Sequence, residues 1–165
     1  MVWEGMVQEG LAVTRAVHDR YHASKRNPWN EVECGDHYAR SMASYGVFVA
    51  ACGFEYHGPR QHLGFAPKLT PENFKAAFTS AEGWGSYAQK INAGTLTAAI
   101  SLCWGKMKLK TIALEFPAIA APSVKVELAG KNLPAQLARR DSRVVISLPA
   151  GVELQAGQSL VISLT

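Results

Sequence analysis

The run Lys106-Met107-Lys108-Leu109-Lys110-Thr111-Ile112 alternates polar and apolar residues. Successive side chains of an extended chain point to opposite faces, so this period predicts a strand with one wet face and one buried face. Further strands are predicted over Phe74 to Ser80, Gly83 to Ile91, Thr95 to Trp104, Lys106 to Glu115, Val124 to Ala129, Arg143 to Leu148 and Ser159 to Leu164. Gly94, Gly105, Gly130-Lys131-Asn132 and Pro149-Ala150-Gly151 punctuate them as turns, and Ala118 to Pro122 reads as a linker.

The earlier part has a different period. Trp3, Met6, Val7, Leu11, Val13, Val17 and Tyr21 recur mostly at three or four places, which predicts an amphipathic helix from Trp3 to Ala23. Trp3 arrives before any capping residue, so the chain reads as starting inside an element. A second helix is expected with Asp36 as its N-cap, Arg40 about one turn inside it and Gly53 as its stop. Phe54 to Pro67, rich in Gly, Pro and aromatics, reads as short extended pieces joined by turns. The expected division is a helical region over 1–73 and a β-rich region over 74–165.

At 165 residues the chain has the size of one ordinary domain and enough apolar residues for a core. Its net charge of +4 is scattered among acids, with no basic tract interleaved with aromatics, so nucleic acid is not an expected partner. Cys34, Cys52 and Cys103 are odd in number and widely spaced, which argues for reduced thiols and against a disulfide framework or a four-cysteine zinc site. Neither a secretory signal nor a membrane-length apolar stretch is visible, and the expected compartment is the cytoplasm.

The densest chemistry lies in Asn27-Pro28-Trp29-Asn30-Glu31-Val32-Glu33-Cys34-Gly35-Asp36-His37-Tyr38-Ala39-Arg40. Pro28 disfavours a helical Asn27, so the acids up to Gly35 are expected on a connection between helices, where binding groups concentrate. Glu31, Glu33 and Asp36 admit a two-carboxylate glycosidase reading, but acids near a helix start also serve as caps and dipole partners. Hydroxyl binding asks for less: a carboxylate that accepts, an arginine that donates and an aromatic plate such as Trp29.

Cys34 with His37 resembles part of a nucleophile pair or of a zinc site, yet no orienting group is assigned. An inert cysteine beside a cap histidine is the simpler account. His18 and His22 stand one helical turn apart, a metal-ligand spacing that lacks a third ligand and has Asp19 where metallopeptidases place Glu. Trp84 and Trp104 suit sugar stacking, but core or interface burial is the ordinary state of such residues.

Taken with the continuation Ser41-Met42-Ala43-Ser44-Tyr45, with Gly64-Phe65-Ala66-Pro67-Lys68-Leu69-Thr70-Pro71-Glu72-Asn73-Phe74 and with Ala81-Glu82-Gly83-Trp84-Gly85, the dense segment resembles the C-terminal end of bacterial members of glycoside hydrolase family 116. That family includes β-glucosidases and the non-lysosomal glucosylceramidase, also called bile-acid β-glucosidase. The resemblance covers the first half of the chain.

The resemblance implies an α+β chain: the last helices of an (α/α)6 barrel-type catalytic domain followed by a β-rich C-terminal region. It implies a retaining reaction whose nucleophile Glu and acid/base Asp lie upstream of the motif, so no catalytic residue is assigned in this chain. Glu31 and Arg40 fall on the family's glucose-binding positions. The implied ligand is a β-glucoside or glucosylceramide-type sugar, the implied partner is the N-terminal portion of the same enzyme, and no cofactor or metal is required. The alternatives are a stand-alone carbohydrate-binding or structural β-module and, further off, a small zinc enzyme using His18 and His22. Helices cut from a barrel are expected to expose an apolar patch around Trp3, Met6, Val7, Leu11 and Val17.

Overall fold

A computed structural model of the chain describes residues 1–20, 24, 41–116 and 123–165. They form two compact units, Met1–Gly53 and Phe54–Thr165.

The first unit contains α1 (Val7–Arg20) and α2 (Ser41–Cys52). The residues before α1 fold back in a turn in which Met6 N–H and Glu4 N–H both donate to Met1 O, at 3.1 and 3.0 Å. That turn lays Val2 against α1 at Gly10, where a Cβ would come within 2.6 Å of the valine side chain. Arg15 and Asp19 pair at 2.8 Å across one turn of the solvent face. Helix α2 stops at Gly53, whose φ of 55° is the left-handed conformation expected of a terminating glycine.

The α+β expectation, with barrel helices leading into a β-rich region, is overturned: strand dominates the described residues, which hold only two short helices. A helical barrel needs long helices that each bury an apolar stripe in a shared core. In α1 the one buried residue is Gly10, while Val13 and Val17 are exposed, as are Met6 and Trp3 just before the helix. Tyr45 and Phe48 of α2 are exposed as well. The extended pieces after Phe54 are moreover true strands, so the helical share of the chain shrinks and sheet begins at Glu55.

The second unit is built from β1 (Glu55–His57), β2 (His62–Phe65), β3 (Asn73–Thr79), β4 (Gly83–Asn92), β5 (Thr95–Glu115), β6 (Val124–Leu128), β7 (Lys131–Leu133), β8 (Gln136–Arg140), β9 (Arg143–Gln155) and β10 (Ser159–Leu164). The long strand β5 belongs to two sheets. Its first half pairs antiparallel with β4 and β10, giving the order β3-β4-β5-β10-β6-β7. Its second half pairs antiparallel with β9 and parallel with β2, giving β1-β2-β5-β9-β8.

Two expected strands, Thr95 to Trp104 and Lys106 to Glu115, are thus one. Gly105 bends this strand instead of ending it, with φ of 80° and its missing Cβ only 2.0 Å from Glu82 O. No other residue type fits there without moving the backbone. The alternation of β5 also changes phase twice. Leu96, Ala98, Ile100 and Leu102 are buried, then Met107 and Leu109, then Ile112 and Leu114. The first change coincides with the register shift near Cys103, the second with Lys110, where Lys110 N–H and Thr111 N–H both donate to Gln61 O at 2.8 and 3.2 Å. Such bulges re-aim every later side chain and so let one strand feed two sheets.

The faces turned inward share one core. Phe65 of β2 and Tyr87 of β4 stack with ring centroids 3.9 Å apart and planes 3° apart, and Phe54 and Phe78 pack against Phe65. Fully buried Leu63, Leu109, Ile112, Ile146, Leu154, Leu160 and Ile162 fill the remainder. At about 25 cal/mol per Å² of buried apolar surface, these side chains supply the main stabilisation of the unit.

Candidate functional site

Glu31 and Arg40, the expected glucose binders, lie outside the described residues, as do Trp29, Glu33, Cys34, Asp36, His37 and His22. His18 stands in α1, and its neighbour Asp19 is engaged by Arg15. Among the described residues no group of three His, Cys, Asp or Glu side chains is placed to hold a metal ion. No helix among them is long and apolar enough to cross a membrane.

The outer face of the β1-β2-β5-β9 sheet carries a polar network that was not singled out from sequence. Strand register sets His57 opposite His62, His62 opposite Thr111, and Glu55 opposite Gly64. His62 Nδ1 lies 2.8 Å from Thr111 Oγ1, and His62 Nε2 lies 3.5 Å from Glu55 Oε2. Arg143 Nη1 donates to Glu55 Oε1. Gly64 leaves room for that pair, since a Cβ there would lie 3.0 Å from Arg143 Nη2 and 3.2 Å from Glu55 Oε2. Glu55, Tyr56, His57, Arg60, His62 and Thr111 line a recess of about 410 Å³.

A hydroxyl, an imidazole and a carboxylate in sequence have the outline of a nucleophile, a base and an orienting group. The outline stops short of a catalytic site. The backbone N–H groups of Thr111 and of its neighbour Lys110 are both committed to Gln61 O, so neither is free to stabilise an oxyanion. The cluster is better read as an ion pair packed on a crowded face: Arg143 Nη1 serves Glu55, while Arg143 Nε and Nη2 are buried without a hydrogen-bond partner among the described residues. The only signal in the sequence was the parity of Glu55 and His57, too short a pattern to read without their partners on β5 and β9.

On the other sheet, Trp84 of β4 and Trp104 of β5 are direct cross-strand partners, 50% and 63% exposed. Neither is a core residue. The glycines on either side of Trp84 explain its position. A Cβ at Gly83 would meet Trp104 O at 2.5 Å, and one at Gly85 would meet Ser101 O at 2.0 Å. Only glycine permits β4 to lie this close to β5, and the pleat then sends the intervening indole outward. Glu82 and Lys106, two places from each tryptophan on the same side of the pleat, form an exposed ion pair at 3.5 Å. Ser86 and Ser101 face each other in the opposite direction along the strands, and Ser101 Oγ lies 2.7 Å from Ser159 Oγ.

No protein-family model matches the chain, and no curated protein matches it.

Proposed function

We propose that this chain is the sugar-binding part of a retaining β-glucosidase of the glucosylceramidase-like kind found in glycoside hydrolase family 116, with Glu31 accepting from and Arg40 donating to hydroxyls of the glucose ring. The reading is carried by the three sequence segments that resemble that family. Two of these are described, and they adjoin in one piece of structure. Gly64 to Phe74 runs from β2 into β3, Ala81 to Gly85 leads into β4, and Gln89 of β4 donates to Pro71 O of the first segment at 2.6 Å. Both glycines of Gly83-Trp84-Gly85 are required by the backbone approach, so the motif has a physical basis beyond its letters.

Retaining hydrolysis requires two carboxyl groups roughly 5 Å apart. The positions matching the family's motif supply neither of them, so the chain alone binds sugar and does not turn it over. Calorimetric titration with a glucose-configured imino sugar tests this reading. Binding should weaken about tenfold or more in Arg40→Ala and in Glu31→Gln, the loss expected for a charge-assisted hydrogen bond. Aryl β-glucoside should remain uncleaved. Binding indifferent to both substitutions would sink the assignment, and turnover abolished by Glu31→Gln would make Glu31 more than a binder.

The second reading, a carbohydrate-binding β-module, is favoured by the separate core of Phe54–Thr165. It predicts sugar binding that survives both substitutions.

A further inference from the structure

The outward face of the β4/β5 crossing carries an ordered block of side chains. Trp84 and Trp104 sit side by side, Glu82 and Lys106 form the next row, and Ser86 and Ser101 the row on the other side. Cross-strand partners are about 5 Å apart, and the register shift between Trp84 and Gly85 leaves Ser86 two places from Trp84 but Ser101 three places from Trp104, with exposed Cys103 between them. Two apolar plates are therefore bracketed at both ends by hydrogen-bonding groups. The block is also rigid. Gly83, Gly85 and Gly105 bring the backbones of β4 and β5 into contact, and Lys106 N–H donates to Glu82 O at 3.1 Å beneath the ion pair.

We propose that Trp84, Trp104, Glu82 and Lys106 form a saccharide-binding platform whose ligand is a β-linked, gluco-configured oligosaccharide. A pyranose with all substituents equatorial has only axial C–H bonds on its faces, which makes them flat and apolar, while its rim carries hydroxyls. Indoles take such a face, and the rim then meets a carboxylate that accepts and an ammonium that donates. An adjacent pair of opposite charges suits a neutral polyhydroxylated ligand better than an ion of either sign.

Size decides against a protein occupant. The two half-open indoles present on the order of 250–300 Å² of surface, whereas a stable protein interface buries about 800 Å² per partner. Along the strands the two indoles are followed by the Glu82–Lys106 ion pair on one side and by Ser86 and Ser101 on the other. The platform needs neither Glu31 nor Arg40, so it stands or falls separately from the glucose site proposed above.

The test uses the full chain, cellohexaose in calorimetry and hydroxyethyl cellulose in affinity electrophoresis. Wild-type protein and Arg40→Ala should both be retarded by the polymer. Trp84→Ala and Trp104→Ala should each lose about tenfold in cellohexaose affinity, with melting temperatures unchanged because both rings are exposed. Lys106→Met should weaken binding less than either. Absence of cellohexaose binding by the wild type, or tryptophan variants that bind as the wild type does, overturns the proposal. Concentration-dependent self-association abolished by Trp84→Ala would also overturn it, by making the face a contact between copies.

Discussion

Tyr87 and Gln89, two places apart on β4, bond to each other inside the core: Tyr87 Oη donates to Gln89 Oε1 at 2.6 Å. Both are buried, and Gln89 Nε2 passes the connection on to Pro71 O at 2.6 Å. A phenol and an amide in an apolar interior cost free energy unless each finds a partner, and here they serve each other. The same tyrosine ring stacks on Phe65, so one residue ties the β2 sheet to the β4 sheet while anchoring the loop before β3.

Tyr87→Phe keeps the stacked ring and removes only the donor. Gln89 Oε1 is then buried with no proton to accept, which should cost about 1–3 kcal/mol. Phe65→Ala removes the ring beneath and should cost about 3–5 kcal/mol. Urea unfolding gives both values. An unchanged midpoint for Tyr87→Phe would mean that the amide finds another donor.

Alkaline pH should destabilise the fold through two buried acids. Burial pushes the Cys52 thiol from its ordinary value of 9.0 up to about 11, and it pushes the Tyr87 phenol far above its usual range. Above pH 9 the unfolded chain releases protons that the folded chain retains, so stability is fully present below pH 9 and falls as pH rises toward 11. Each group contributes a slope of at most about 1.4 kcal/mol per pH unit. Denaturation curves across this range should flatten for Cys52→Ala. A slope identical to wild type would exclude the thiol as its source.

Glycines in the two units should respond in opposite directions to one added methyl. Gly85→Ala would set a Cβ 2.0 Å from Ser101 O, forcing β4 away from β5, with an expected loss of about 1–3 kcal/mol or more. Gly46, in the middle of α2, has open space around its missing Cβ. Gly46→Ala should stabilise by about 0.5–1 kcal/mol, mainly by restricting the unfolded chain. Thermal melts of the two variants compare them directly, and a stable Gly85→Ala protein would contradict the close approach of the strands.

The strands were the most legible part of the sequence. Asn73–Thr79, Gly83–Asn92, Val124–Leu128 and Ser159–Leu164 fall within two residues of the runs read as strands. Lys131–Leu133 and Gln136–Arg140 were missed because short polar edge strands bury too little to leave a period. The glycine at 105 was read as an end because a turn and a bend ask for the same residue. Of the candidate site, Glu31 and Arg40 were reached only through resemblance. The network around Glu55, His62, Thr111 and Arg143 left only the parity of Glu55 and His57 in the sequence, since its members are up to 88 positions apart.

Sequence pattern by itself determined where most of the long strands of the second part lie, because a period of two buries one face of a strand and leaves the other wet. Tertiary structure alone decided that β5 serves two sheets and that Trp84 and Trp104 face solvent. Those outcomes depend on where one backbone touches another, at Gly83, Gly85 and Gly105, and a linear pattern does not record contacts between distant segments.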